Sequence, residues 1–141
     1  MAGTGMNKGR GTRGGDEEIV YRRHANGRGM VAPGSRVSAS AYVETGAYVE
    51  PGATVGERAW IGAGSWVDRD AMIGHSAFIG ANVHVGPEAI IGPGARIGSY
   101  TRIGGSAVVA TGARVDRDTV VPAGGRYGAE ESTREVGRRA A

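Results

Sequence analysis

The 141-residue chain contains no cysteine. Disulfides and thiolate metal sites are thereby excluded, and redox chemistry gives no hint of the compartment. Long apolar runs are missing too. Every apolar stretch is short and broken by Gly or charge, so no transmembrane span is expected. The Gly- and Arg-rich start also lacks the apolar core of a signal peptide. One cytoplasmic domain, not associated with a membrane, is the expectation.

Charge of one sign is scarce once the net +3 is divided along the chain. Residues 1–30 carry six Lys or Arg and three acids, residues 31–121 seven and eight, and residues 122–141 four and three. The basic excess sits in the end segments. Such a distribution predicts solubility and no nucleic-acid partner.

What is present is a repeat. Val31, Val37, Val43, Val49, Val55, Ile61, Val67, Ile73, Ile79, Val85, Ile91, Ile97, Ile103, Val109, Val115 and Val121 lie six apart without a break. Two residues before them stands a side chain that is nearly always small, such as Ala41, Ala47, Ser65, Ala77 or Thr101. Residues two apart on a strand share a face, so one small and one branched residue point inward together. Three residues after the core position comes Gly34, Gly46, Gly52, Gly64, Asp70, Asn82, Gly94, Gly112, Asp118 or Gly124. These types tolerate the positive φ of a sharp corner. The density of Gly and β-branched residues excludes helix. A strand and a corner repeated every six residues must coil into an all-β solenoid, in which each strand pairs with its equivalents above and below.

Units such as VGERAW, IGAGSW, IGPGAR and IGSYTR resemble those of the hexapeptide-repeat proteins. The resemblance covers residues 31–124 and implies a left-handed parallel β-helix, three hexads to each triangular coil, about five coils in all. The hand comes from the resemblance alone. The organisation expected is a disordered tail over residues 1–18, a lead-in or cap over 19–30, the β-helix over 31–124, and a tail with a possible short helix over 125–141. Ile19, Val20 and Tyr21 are candidates to cap the top.

With eighteen residues per coil, the outward residues before each core position form columns. They read Met30, Tyr48, Trp66, His84, Arg102 and Val120 on the first face; Arg36, Thr54, Met72, Ile90 and Val108 on the second; and Tyr42, Trp60, Phe78, Arg96 and Arg114 on the third. Tyr42, Trp60, Phe78, Tyr48 and Trp66 make a patch suited to association, and the resemblance implies a homotrimer.

The segment IGHSAFIG is similar to the I-[AG]-H-x-x-x-I-G stretch of hexapeptide acyltransferases that acylate amino sugars. That likeness implies His75 as general base, acyl-CoA or an acyl carrier protein as donor co-substrate, and no resident cofactor. Backbone N–H groups near Gly74 or Gly92 are the expected oxyanion donors. The chemistry suits imidazole, which titrates near neutral pH and can take the proton of an attacking amine. His84 lies half a coil from His75 and faces another way, so the two are not expected to share a metal, and His84 reads as part of the association surface. A gamma-class carbonic anhydrase is a remote alternative, because no H-x-x-x-x-H pair is present and an open zinc site needs three ligands. A non-catalytic scaffold is the nearer one: the hexads run without an inserted loop, and no asparagine-proline-alanine segment follows them. The run HANGRGMVA is similar to the opening of small hexapeptide proteins of bacteria and phages.

Overall fold

The computed structural model describes residues 10–12 and 18–128. The chain winds as a parallel solenoid with three sheets along its length. One stacks Met30–Val31, Tyr48–Val49, Trp66–Val67, His84–Val85, Arg102–Ile103 and Val120–Val121. The second runs from Arg36–Val37 to Arg126–Tyr127 and the third from Tyr42–Val43 to Arg114–Val115. Every parallel pairing joins residues eighteen apart, as Trp66 with His84 and Phe78 with Arg96. The ladder thus extends to Tyr127, beyond the last expected repeat, while residues 129–141 and their possible helix lie outside the described residues. No helix occurs among the described residues, and none is long and apolar enough to cross a membrane.

The axial core follows the sixfold repeat. From Val43 to Val121 all fourteen core Val and Ile are buried, together with the small residues that share their face from Ala41 to Ala113; Thr119 is half-buried. Val31 and Val37 also pack against this core but are only half-buried, because the first coil ends in a hollow that they line with Tyr21, His24 and Pro33. Polar members of the small column are satisfied internally. The Ser65 hydroxyl donates to the Gly80 carbonyl at 2.6 Å, and Thr101 donates to the Asp116 carbonyl at 3.0 Å.

Corners take the remaining residues of each hexad. All ten predicted corner residues have positive φ, and so do Arg58, Ser76, Glu88, Tyr100 and Ser106 in the same phase. The chirality cost of roughly 1–2 kcal/mol for a side chain in this region is therefore borne wherever the winding demands it, whatever the residue.

The lead-in is antiparallel. Arg22–Arg23 pairs with Met30–Val31 at the top of the first sheet, and Arg10–Thr12 pairs with Glu18–Val20, within the stretch expected to be disordered. Ile19 and Tyr21 are buried with Met30 and Ala32 in a second apolar cluster. Val20, expected beside them, is 50% exposed, since strand alternation points it the other way. Met30, expected outward, is buried because this cap covers it. The His24 ring donates to the Ala41 carbonyl at 2.9 Å, and the Asn26 amide donates to the same oxygen at 3.1 Å, which ties the HANGRGM loop to the first coil.

Candidate functional site

His75 follows Gly74 at the corner between the second and third faces, and its side chain is exposed. Backbone contacts fix the corner that carries it. Its carbonyl accepts the Gly94 N–H at 3.0 Å, and the next residue, Ser76, donates its N–H to the Glu57 carbonyl one coil above at 2.9 Å. Gly56 is glycine for a visible reason: a Cβ there would come within 2.7 Å of the His75 nitrogen. The imidazole is thus held on a rigid corner with its ring free to meet a ligand. The expected oxyanion donors are not free. Gly74 N–H donates to Ile91 O and Gly92 N–H to Val109 O, both at 2.8 Å, as rungs of the ladder.

His84 lies elsewhere, on the first sheet, half-buried. Its Nε2 is 3.1 Å from Asp68 Oδ2, and its ring stacks on Trp66 at 4.3 Å between centroids. Trp66 in turn donates its indole N–H to Glu50 Oε2 at 2.7 Å, and Glu50, although 1% exposed, also accepts from the Tyr21 hydroxyl at 2.7 Å. Asp68 to His84 and Glu50 to Trp66 have the same spacing of sixteen residues. In each case an acid just past a core Val reaches down to the ring that stands outward on the next coil. Neither acid was singled out from the sequence, although the spacing of sixteen is the signal that finds both. The carboxylate orients the imidazole and favours one tautomer, an arrangement found where a histidine handles protons. His84 is therefore more than an apolar contact surface.

The first-face aromatics are less available than their outward phase implied. Tyr48 meets Tyr21 of the cap edge-on at 5.1 Å, and Trp66 is engaged as described. On the third face Tyr42 stacks on Trp60 at 4.2 Å, Trp60 lies 6.2 Å from Phe78, and Arg96 covers Phe78 at 5.8 Å. Trp60 and Phe78 are 40% and 39% exposed, so this column presents a continuous aromatic strip. Below it a cleft of about 420 Å³ opens among Phe78, Arg96, Ser99, Arg114, Asp116 and Arg117. Among the described residues no group of three His, Cys, Asp or Glu could hold a metal ion.

Residues 70–105, which include His75 and His84, match the family described as bacterial transferase hexapeptide (six repeats). Three solved structures share the winding. PerB of Caulobacter crescentus, solved with CoA and GDP-perosamine, is 30% identical with a TM-score of 0.69; the match covers 70% of this chain and 47% of that one. A histidine-to-asparagine variant of the perosamine N-acetyltransferase from the same organism, also with CoA and GDP-perosamine, is 28% identical with the same TM-score and the same coverage, 70% and 47%. The acetyltransferase domain of PglB from Neisseria gonorrhoeae is 28% identical over 70% of this chain and 48% of that one, with a TM-score of 0.69. The match therefore spans about half the length of these relatives. No curated protein matches the chain.

Proposed function

The chain is a hexapeptide-repeat protein, and from that footing we propose that it transfers an acyl group from acyl-CoA to the amine of a sugar or a similar acceptor, with His75 as general base. The observation that carries this reading is the coincidence of IGHSAFIG, within the matched hexads, with structural neighbours that acetylate amino sugars. In the step itself the acceptor nitrogen attacks the thioester carbonyl and loses a proton to the imidazole. The tetrahedral intermediate collapses, the C–S bond breaks, and the proton passes to the leaving thiolate. Oxyanion donors would have to come from outside the ladder, since Gly74 and Gly92 are engaged.

Further parts of the reading are assembly and place. The protein acts as a homotrimer in the cytoplasm, where acyl-CoA is available. Its subunits meet through the strip of Tyr42, Trp60 and Phe78 and the flank of Tyr48 and Trp66, so that a boundary beside His75 supplies the concavity a flat face lacks. Sedimentation of Trp60→Asp should then show smaller species than wild type.

Two observations favour other readings. The hydrogen bond that the His84 ring donates to Asp68 makes His84 a second candidate for the base. The uninterrupted hexads and flat faces favour a scaffold that binds partners without turnover. Thiol release from acetyl-CoA over a panel of amino sugars, with His75→Ala and His84→Ala beside wild type, separates all three. Loss in His75→Ala alone supports the proposal, loss only in His84→Ala moves the base to His84, and silence of the wild type favours the scaffold.

A further inference from the structure

The lead-in covers the top of the solenoid unequally. Above the first sheet, Arg22–Arg23 pairs with Met30–Val31. Above the third, Val43 donates its N–H to the Asn26 carbonyl at 3.0 Å and accepts the Gly29 N–H at 2.8 Å, while the Ala41 carbonyl is engaged by His24 and Asn26. The second sheet has no such cover. Its top strand, Arg36–Val37, ends the sheet. Arg36 and Ser38 donate downward, to Ala53 at 2.9 Å and Val55 at 3.0 Å. Ser35 and Val37 stand one hexad before Ala41 and Val43, and they turn their backbone groups upward, since successive residues of a strand address opposite edges. Among the described residues nothing bonds the Ser35 carbonyl or the N–H and carbonyl of Val37. This open edge borders the hollow of about 410 Å³ lined by Val20, Arg22, Val31 and Val37, which neither His75 nor His84 reaches. Its surroundings carry one sign of charge. Residues 19–40 contain four arginines and no acid. Arg22, Arg23, Arg28 and Arg36 are exposed, and none forms an ion pair among the described residues.

We propose that this edge takes an added strand from an acidic partner, an extended peptide segment with an apolar residue over Val31 and Val37 and a carboxylate on either side of it. An unpaired strand edge is a template for pairing with another chain. In strand addition the main-chain hydrogen bonds supply affinity and alternate side chains supply specificity. A residue opposite Val37 in an antiparallel pair exchanges both N–H···O bonds with it. Its side chain then turns inward, as that of Val37 does, and meets half-buried Val31 and Val37 and exposed Val20. The residues before and after it turn outward, on the side of Arg36, where carboxylate and guanidinium form charge-assisted hydrogen bonds. A second copy of this chain is the poorer occupant, because it brings the same four arginines to the same edge. The inference does not depend on the acyl-transfer reading.

Fluorescence anisotropy of the full chain tests this with a capped, labelled Thr-Glu-Val-Glu-Thr peptide, its Thr-Lys-Val-Lys-Thr counterpart, and the acidic peptide N-methylated at its valine. Wild type is compared with an Arg22→Glu/Arg36→Glu double variant, with Val37→Pro, and with Arg126→Glu at the opposite end of the same sheet as control. Val37→Pro deletes the upward N–H and leaves the downward bonds of Arg36 and Ser38, a change that edge strands tolerate. The acidic peptide should bind wild type and Arg126→Glu alike, with a Kd below about 1 mM, and bind the other two variants roughly tenfold or more weakly. N-methylation should weaken binding to wild type by a similar factor, and the lysine peptide should not bind. Because the N-methylated peptide is read on wild type, the backbone pairing is tested even where Val37→Pro fails to fold. The proposal is overturned if the acidic peptide does not bind wild type, if the lysine peptide binds as well, or if the folded double variant keeps wild-type affinity. Unchanged affinity of the N-methylated peptide would reduce the edge to a patch of charge and overturn it too. A wild-type particle that Val37→Pro makes smaller in sedimentation would assign the edge to a second copy, with the same consequence.

Discussion

Substituting Gly74 by Ala probes how the winding holds the corner of His75. Gly74 is not among the residues of positive φ, so its need for glycine is one of space. A Cβ there would stand 2.5 Å from the Pro93 nitrogen and 2.8 Å from its Cα, against ordinary contacts of 3.4 Å and more. Pro93 is backbone of the next coil and cannot swing aside, so the two coils must part by about 1 Å, in a ladder whose spacing is about 4.8 Å. Overpacking of this kind costs about 1–3 kcal/mol. The lower entropy of the unfolded Ala chain offsets about 0.4–1 kcal/mol of it. The net loss, about 0–2.6 kcal/mol with a midpoint of about 1.3, should lower Tm by roughly 5 °C. Gly94 is the control, since its φ is +71° and nothing lies within 4 Å of its missing Cβ. Gly94→Asn should change stability by less than about 1 kcal/mol, because Asn enters this region more readily than other side chains and Asn82 already occupies an equivalent corner at φ 55°. Thermal melts followed by circular dichroism at one fixed protein concentration compare the two. Equal melting of Gly74→Ala and wild type, or an equal fall in both variants, would refute the assignment of one glycine to space and the other to φ.

Truncating Ile91→Ala in the axial core should destabilise by about 2–5 kcal/mol, read as a lower urea midpoint with little change in slope. Tyr21→Phe removes a 2.7 Å hydrogen bond to the buried Glu50 and should cost about 1–3 kcal/mol in the same titration. Asp68→Asn alters a half-exposed pair with His84 and should cost less than about 1 kcal/mol, while NMR of the His84 ring should show a changed tautomer balance if the carboxylate holds it.

The strict sixfold spacing made the solenoid legible. A period of six fits no helix, and a branched residue at every sixth place leaves one consistent way to bury a core. Corner residues such as Asp70 and Asn82 were legible because their backbone requirement is local. The burial of Met30 was not, since it depends on a cap that folds back antiparallel across the first coil. Nor was the engagement of the Gly74 and Gly92 amides, because a glycine at a corner reads as open backbone until the coil beneath it is in place. His75 was singled out as a candidate base through its motif; the carboxylate beside His84 was not singled out, because its partner lies sixteen residues away and one coil up.

By itself, then, the sequence determined the winding, the inward column and the corners, all of which repeat locally and need only neighbouring hexads. The tertiary structure alone decided which polar groups meet: Asp68 with His84, Glu50 with Tyr21 and Trp66, and Arg96 above Arg114 at an open cleft. Those meetings depend on how a side chain on one coil reaches across to the next, and the period fixes the height of each coil without fixing that reach.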